Sequence, residues 1–127
     1  YVLGYTCLND ITARDIELRE HHRTRAKAFD TFCPIGPCIA TNIDPNAAEI
    51  ETWVNGERRQ AGNTKGFVFP VEDVVARVSA VMTLLAGDVI ATGTPAGVGP
   101  LQPGDRVEVR IDGIGSLKNP VIKLQEA

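Results

Sequence analysis

The sequence predicts a mainly β domain with a minor helical part. Three observations carry this reading. Gly (12) and Pro (8) are spread as punctuation between short apolar runs, the pattern of a chain built from strands and turns. An Asn-Gly pair separates Ile50–Val54, where apolar and polar residues alternate, from a second short run. One stretch alone, after Pro70, repeats its apolar residues at clear helical spacing. No βαβ alternation runs through the chain, which disfavours a doubly wound sheet. Internal repeats, linkers and low-complexity tracts are absent from the sequence.

Residues Tyr1 to Leu8 read as a buried strand that ends at Asn9-Asp10. Ala13 to His22 is polar and Pro-free, with Ile16 and Leu18 as its apolar members, and reads as a short helix. Thr12 or Asn9 is placed to cap it. Lys27 to Pro37 contains Cys33-Pro34-Ile35-Gly36-Pro37, which cannot sustain a helix and is expected as an ordered loop. Cys38 to Asn42 follows as a short strand, and Asp44-Pro45-Asn46 as a turn. The Asn55-Gly56 pair then predicts a two-residue hairpin, because both residue types tolerate the positive φ of a type I′ turn.

The one long helix is expected over Val71 to Thr83. Val71, Val74, Val75, Val78, Met82 and Leu85 recur at helical spacing; Pro70 suits a first turn, and Glu72 and Asp73 complement the N-terminal dipole. Two turn-to-strand units follow: Ala86-Gly87-Asp88 into Val89-Ile90-Ala91, and Pro103-Gly104-Asp105 into Val107-Glu108-Val109. A tight reversal at Ile111–Gly115 precedes a last strand from Leu117 to Leu124.

At 127 residues the chain is one domain's worth. A domain of this size buries roughly two-thirds of its unfolded surface. Hydrophobic residues at 43% and charged residues at 23% are ordinary globular values, which excludes disorder, collagen and coiled coil. A net charge of −3 argues against a nucleic-acid binder and gives no attraction to anionic membranes. No apolar run approaches the ~20 residues of a membrane span. Cys7, Cys33 and Cys38 contain no CxxC pair and read as reduced core residues of a cytoplasmic protein, with a metal or redox role as the alternative. Tyr1 is not expected to be a natural start: no signal peptide opens the chain, and Val2, Leu3 and Tyr5 already resemble a strand interior.

Three segments carry polar groups that a core does not need. In Asn9–Asp15, Asp10 follows an apolar strand, a rigid position suited to a metal ligand. Arg14, four residues on, is a bidentate donor for a small acid. The same residues also read as a helix cap and a surface ion pair. In Arg25–Thr31, Lys27 is flanked by Ala26, Ala28 and Phe29, neighbours that partly desolvate an amine and suit it to a developing enolate; an ordinary solvated lysine is the alternative. In Ala91–Gly99, Thr92 and Thr94 around Gly93 present hydroxyl and N–H donors to an anion, or form a plain glycine-rich connection. His21 and His22 are adjacent, diverge by ~100° on a helix and cannot share one zinc. Trp53 reads as a half-buried strand residue, and neither GxSxG nor a Ser-His-Asp set is present.

Taken together, GYTCLNDITARDIE (Gly4 to Glu17), AKAFDTFCPIGPCI (Ala26 to Ile39), VNGERRQ (Val54 to Gln60), LLAGDVIATGTPAGVGPLQPGD (Leu84 to Asp105) and DGIGSLKNPV (Asp112 to Val121) resemble the fumarylacetoacetate hydrolase family. The resemblance runs over nearly the whole chain, in the family's order. It implies a mixed β-sandwich roll, with residues 1–127 as a single catalytic domain truncated at its N-terminal side. It implies Mg²⁺ or Mn²⁺ as cofactor, a dicarboxylate or 2-oxo acid as the small-molecule partner, and a cytoplasmic homodimer. Family members cleave or isomerise 2-oxo acids and their enols. Asp10 falls on the metal-binding aspartate, Arg14 on an active-site arginine, Lys27 on the lysine that contacts substrate oxygens, and Gly93 and Thr94 on the loop that holds the substrate carboxylate.

The chain also departs from the family. A Glu-x-Glu pair of metal ligands and a helix with a His-Glu pair belong upstream of the Gly-Tyr-Thr strand, before the first residue here. Glu49-Ile50-Glu51 is an E-x-E downstream of Asp10 and is not assigned to the metal. Cys38 stands where the family often has Trp, and Glu17 where some members have Gln. Arg19–Asp30 looks most like the branch that isomerises 2-hydroxyhepta-2,4-diene-1,7-dioate (the 5-carboxymethyl-2-hydroxymuconate isomerases) or decarboxylates 5-oxopent-3-ene-1,2,5-tricarboxylate. Acylpyruvate or fumarylpyruvate hydrolysis, oxaloacetate decarboxylation, and an inactive binding module are the alternatives.

Overall fold

The computed structural model describes residues 1–123. It is mainly β, with two antiparallel sheets. Strands β1 (Tyr5–Leu8) and β2 (Ile35–Ala40) form a two-stranded sheet. Strands β3 (Glu49–Val54), β4 (Glu57–Asn63), β5 (Arg106–Ile111) and β6 (Gly115–Pro120) form a four-stranded sheet in the order β4-β3-β5-β6. Three short α-helices punctuate the strands: α1 (Arg14–Glu17), α2 (Thr24–Lys27) and α3 (Val71–Ser79).

The larger sheet follows from period-two patterning. In β5, Val107 and Val109 are each 4% exposed, and Glu108 and Arg110 point to the opposite face. The β3–β4 turn is the expected hairpin: Val54 pairs with Glu57, and Asn55 and Gly56 take φ of 53° and 84°. Asn55 also ties the hairpin to the turn before β5, donating to Asp105 Oδ1 at 2.8 Å and accepting from the Arg106 N–H at 2.9 Å. The two sheets meet over a small core of Cys7, Val109, Ile114 and Leu117, with Tyr5, Ala40, Ile43 and Ile111 around it.

The outer face of the four-stranded sheet is an ionic ladder. Glu108 accepts from Arg110 at 2.7 and 3.0 Å and lies 3.4 Å from Lys118. Arg110 stacks 4.7 Å over the half-buried Trp53, whose indole N–H donates to Glu51.

Several expectations are corrected. Residues 1–4 precede β1 instead of belonging to it. The helix expected over residues 13–22 shrinks to the four residues of α1, with neither Thr12 nor Asn9 capping it. A separate α2 forms and ends on Lys27. β2 begins at Ile35, inside the expected loop: among the described residues β2 pairs only with β1, so Pro37 lies in a strand with an edge free of ladder partners there, where its missing N–H costs no ladder bond. Helix α3 stops at Ser79, four residues early, and Val89–Ala91 forms no strand. Cys33 and Cys38 are exposed, so of the three cysteines Cys7 alone is a core residue. The last strand, expected over Leu117 to Leu124, is shorter at its end: β6 stops at Pro120 and residues 121–123 are not strand, while Leu124 itself lies outside the described residues. Among these, no helix is long and apolar enough to cross a membrane.

Candidate active site

The turn after β1 is stitched down on both sides of Asp10. The Asn9 N–H donates to Pro34 O at 3.1 Å, and the Ile11 N–H donates to Phe32 O at 3.0 Å. Two residues on, the Ala13 N–H donates to Ala26 O at 2.9 Å, which fixes α2 against the same turn. Ala26 is fully buried and acts as the seat of α2. Lys27, the next residue, therefore emerges beside Asp10.

The two side chains form an ion pair, Lys27 Nζ to Asp10 Oδ2. Lys27 also reaches Thr12 Oγ1 at 3.4 Å, and the Thr12 hydroxyl donates to the Asp10 carbonyl at 3.2 Å. Both charged groups remain accessible, with side-chain exposures of 36% for Lys27 and 44% for Asp10. The pair thus faces solvent at a rigid position, where a small acid can approach it.

Arg14 is brought close by α1 but turned to a different partner. Its guanidinium pairs with Glu17, whose other carboxylate oxygen is 3.6 Å from Arg23 Nε. His21 and His22 are exposed, as the sequence implies.

Gly93 and Thr94 lie on the 91–99 segment, which packs against β4. Gly93 has φ of +103°. Thr94 Oγ1 accepts from Gln60 Nε2 at 2.8 Å, and the Pro95 carbonyl accepts from the same nitrogen at 2.7 Å. Among the described residues, no hydrogen bond or ion pair links this loop to Asp10, Lys27 or Arg14. Gln60 closes the VNGERRQ motif, and nothing in the sequence marks it as a site residue. Its signal is structural: it is the one buried polar side chain among the described residues.

A hard divalent cation prefers oxygen ligands. Asp10 fits that preference at one position, since its Oδ1 has no hydrogen-bond partner among the described residues. These residues contain no group of three or more His, Cys, Asp or Glu side chains placed to hold a metal ion. Glu51, of the E-x-E pair, is occupied by Arg58 and Trp53, which hold its carboxyl below the usual range. Asp10 is thus compatible with a divalent cation at one position, and the described residues by themselves do not close a cage around one.

The fold is that of a known domain type. Residues 1–122 match the family described as fumarylacetoacetate (FAA) hydrolase C-terminal. The chain belongs to that family. It is similar to a 5-carboxymethyl-2-hydroxymuconate delta-isomerase from Mycobacterium smegmatis, with a TM-score of 0.97 and 48% identity over 99% of this chain and 50% of that one. A 2-hydroxyhepta-2,4-diene-1,7-dioate isomerase from Mycobacterium marinum gives a TM-score of 0.93 and 52% identity over 94% of this chain and 48% of that one. A maleylpyruvate hydrolase from Sphingobium sp. SYK-6, solved in complex with manganese(II) and pyruvate, gives 0.85 and 44% identity over 98% and 46%. An oxaloacetate tautomerase of Bacillus subtilis is 42% identical over 95% of this chain and 44% of its own length. The chain spans about half the length of the curated relatives it matches, such as 50% of an Archaeoglobus fulgidus protein.

Proposed function

We propose that this chain is the catalytic portion of a divalent-metal-dependent enzyme acting on a 2-oxo acid or its enol, by isomerisation or decarboxylation of a 2-hydroxy-diene-dioate. The observation that carries it is the accessible Asp10–Lys27 pair, anchored at a rigid turn. The related isomerases, tautomerase and hydrolase support the shared chemistry, because each reaction is served by stabilising the enol or enolate of a 2-oxo acid.

Each residue has a role in this reading. Asp10 supplies one oxygen ligand to Mg²⁺ or Mn²⁺. Such a cation, when bound, supplies the positive charge that attracts the keto and carboxylate oxygens of a 2-oxo acid. Lys27, whose ammonium also donates to Asp10 and Thr12, offers its remaining N–H to the oxygen on which negative charge accumulates. Gly93 and Thr94 offer an N–H and a hydroxyl to the substrate carboxylate. Arg14 joins them when its pairing with Glu17 yields to a bidentate contact with the substrate. The homodimer and the cytoplasmic location rest on the family resemblance; free Cys7, Cys33 and Cys38 are in keeping with a reducing compartment.

C–C hydrolysis of an acylpyruvate is the second reading, favoured by the maleylpyruvate hydrolase relative. Ultraviolet absorbance, which follows loss of the conjugated enol, together with mass spectrometry of the products separates the two with Mg²⁺ or Mn²⁺ present. Isomerisation conserves mass, decarboxylation releases CO₂, and hydrolysis releases two acids. If 2-hydroxy-diene-dioates, oxaloacetate and acylpyruvates are all returned unchanged, the proposal fails.

A further inference from the structure

Strand β4 carries a side chain on the face opposite to the one that simple alternation assigns. Glu57 pairs with Val54 and Arg58 with Trp53; the register then shifts, so that Gln60 and not Arg59 pairs with Thr52. Arg59 is the extra residue of a β-bulge, and a slip of one residue moves every later side chain to the other face. Without the bulge Gln60 would share the outer face with Trp53 and Arg58. With it, Gln60 turns inward and is 9% exposed.

The inward amide meets the 94–97 loop. Its nitrogen donates to Thr94 Oγ1 and to the Pro95 carbonyl, at 2.8 and 2.7 Å. An amide nitrogen has hydrogens to give and no lone pair to offer. Thr94 is therefore the acceptor in this bond, and its own hydroxyl hydrogen is left over. Among the described residues nothing accepts that hydrogen. The bulge seats the loop a second time: a Cβ on Gly97 would lie 2.1 Å from the Arg59 carbonyl oxygen, so only glycine allows this approach.

We propose that Gln60, placed by the Arg59 bulge, is a positioning residue that commits the Thr94 hydroxyl to donating toward a substrate carboxylate. This rests on the 2-oxo-acid reading above and assigns the side chain that sets the polarity of its carboxylate site. Gln60→Glu is diagnostic because it keeps the shape and reverses the chemistry. A carboxylate there accepts from Thr94 and faces the Pro95 carbonyl with like polarity.

The test uses the protein as its gene encodes it, with Mn²⁺ present and oxalate as the probe, followed by calorimetry. Gln60→Glu and Thr94→Val are each expected to weaken oxalate binding by about tenfold or more, the scale of a hydrogen bond to a charged group. In the Thr94→Val background, Gln60→Glu is expected to add little, and Thr94→Ser to retain binding. With a turned-over substrate, the losses fall on KM more than on kcat. Gln60→Met, which keeps the volume and removes the donor, is the second variant should Gln60→Glu not fold. Wild-type affinity in either folded Gln60 variant, or an equal loss with and without Thr94, overturns the inference alone. A wild type that binds no oxalate overturns the functional reading and the inference with it.

Discussion

Replacing Lys27 by Ala separates a functional lysine from a structural one. Its ammonium bonds Asp10 and, at 3.4 Å, the Thr12 hydroxyl. The pair is 36% and 44% exposed at its side chains, so solvent screens it and its contribution to stability is about 0–1 kcal/mol. For a domain of this size, that lowers the melting temperature by roughly 0–5 °C. Loss of an electrostatic stabiliser at the reacting oxygen instead costs about 10²-fold in kcat, or roughly 2.7 kcal/mol of barrier. Calorimetric melting and steady-state turnover on the same preparation compare the two. A small thermal shift with a hundredfold fall in kcat is the expected pair of results. Wild-type turnover, or a fall in melting temperature well beyond ~5 °C, refutes the assignment.

Other outcomes follow from the fold. Leu117→Ala, in the core where the two sheets meet, is expected to destabilise by about 2–5 kcal/mol in urea unfolding. The Arg110 guanidinium, helped by Ser116 and Lys118, holds the Glu108 carboxyl down to about 2 against an ordinary value of 4.5. A depressed folded-state value means that this carboxylate's stabilisation is complete above the unfolded value and is lost as pH falls from about 4.5 toward 2. Glu108→Gln is therefore expected to flatten the fall in denaturant midpoint over that window; an unchanged slope counts against the ladder. Gly97→Ala is expected to dislodge the 94–97 loop, detected as faster amide exchange at residues 94–97 with β5 protection intact.

The parts of the fold that were readable from sequence are those with local causes. Asn55-Gly56 specifies its own turn, and Val107-Glu108-Val109 its own alternation. Pro70 marks the start of α3, but the bond that caps it comes from elsewhere: the Val71 N–H donates to Asn46 Oδ1 at 3.0 Å, and Asn46 also holds Glu72. The early end of α3 has no comparable signal. Its apolar spacing continues to Met82, yet Val81 and Met82 are exposed and gain nothing from continuing the helix. Val89–Ala91 looked like a strand because it is apolar after a turn, but it pairs with no other strand.

The candidate site divides in the same way. Asp10 and Lys27 were legible as a carboxylate after a strand and an amine among small residues, and backbone bonds across the 9–13, 26 and 32–34 segments bring them together. Arg14 was legible as a donor, and its engagement with Glu17 was not. Gln60 was hidden because its face depends on one bulged residue, which leaves no mark in the composition of β4.

The central claim is that the Asp10 carboxylate takes part in holding a divalent cation beside Lys27. Electron paramagnetic resonance of Mn²⁺ titrated into the protein as its gene encodes it measures this without a substrate. The account predicts saturable Mn²⁺ binding that Asp10→Ala abolishes, with the variant's melting temperature within ~5 °C of wild type. Undiminished Mn²⁺ binding in a folded Asp10→Ala protein contradicts it.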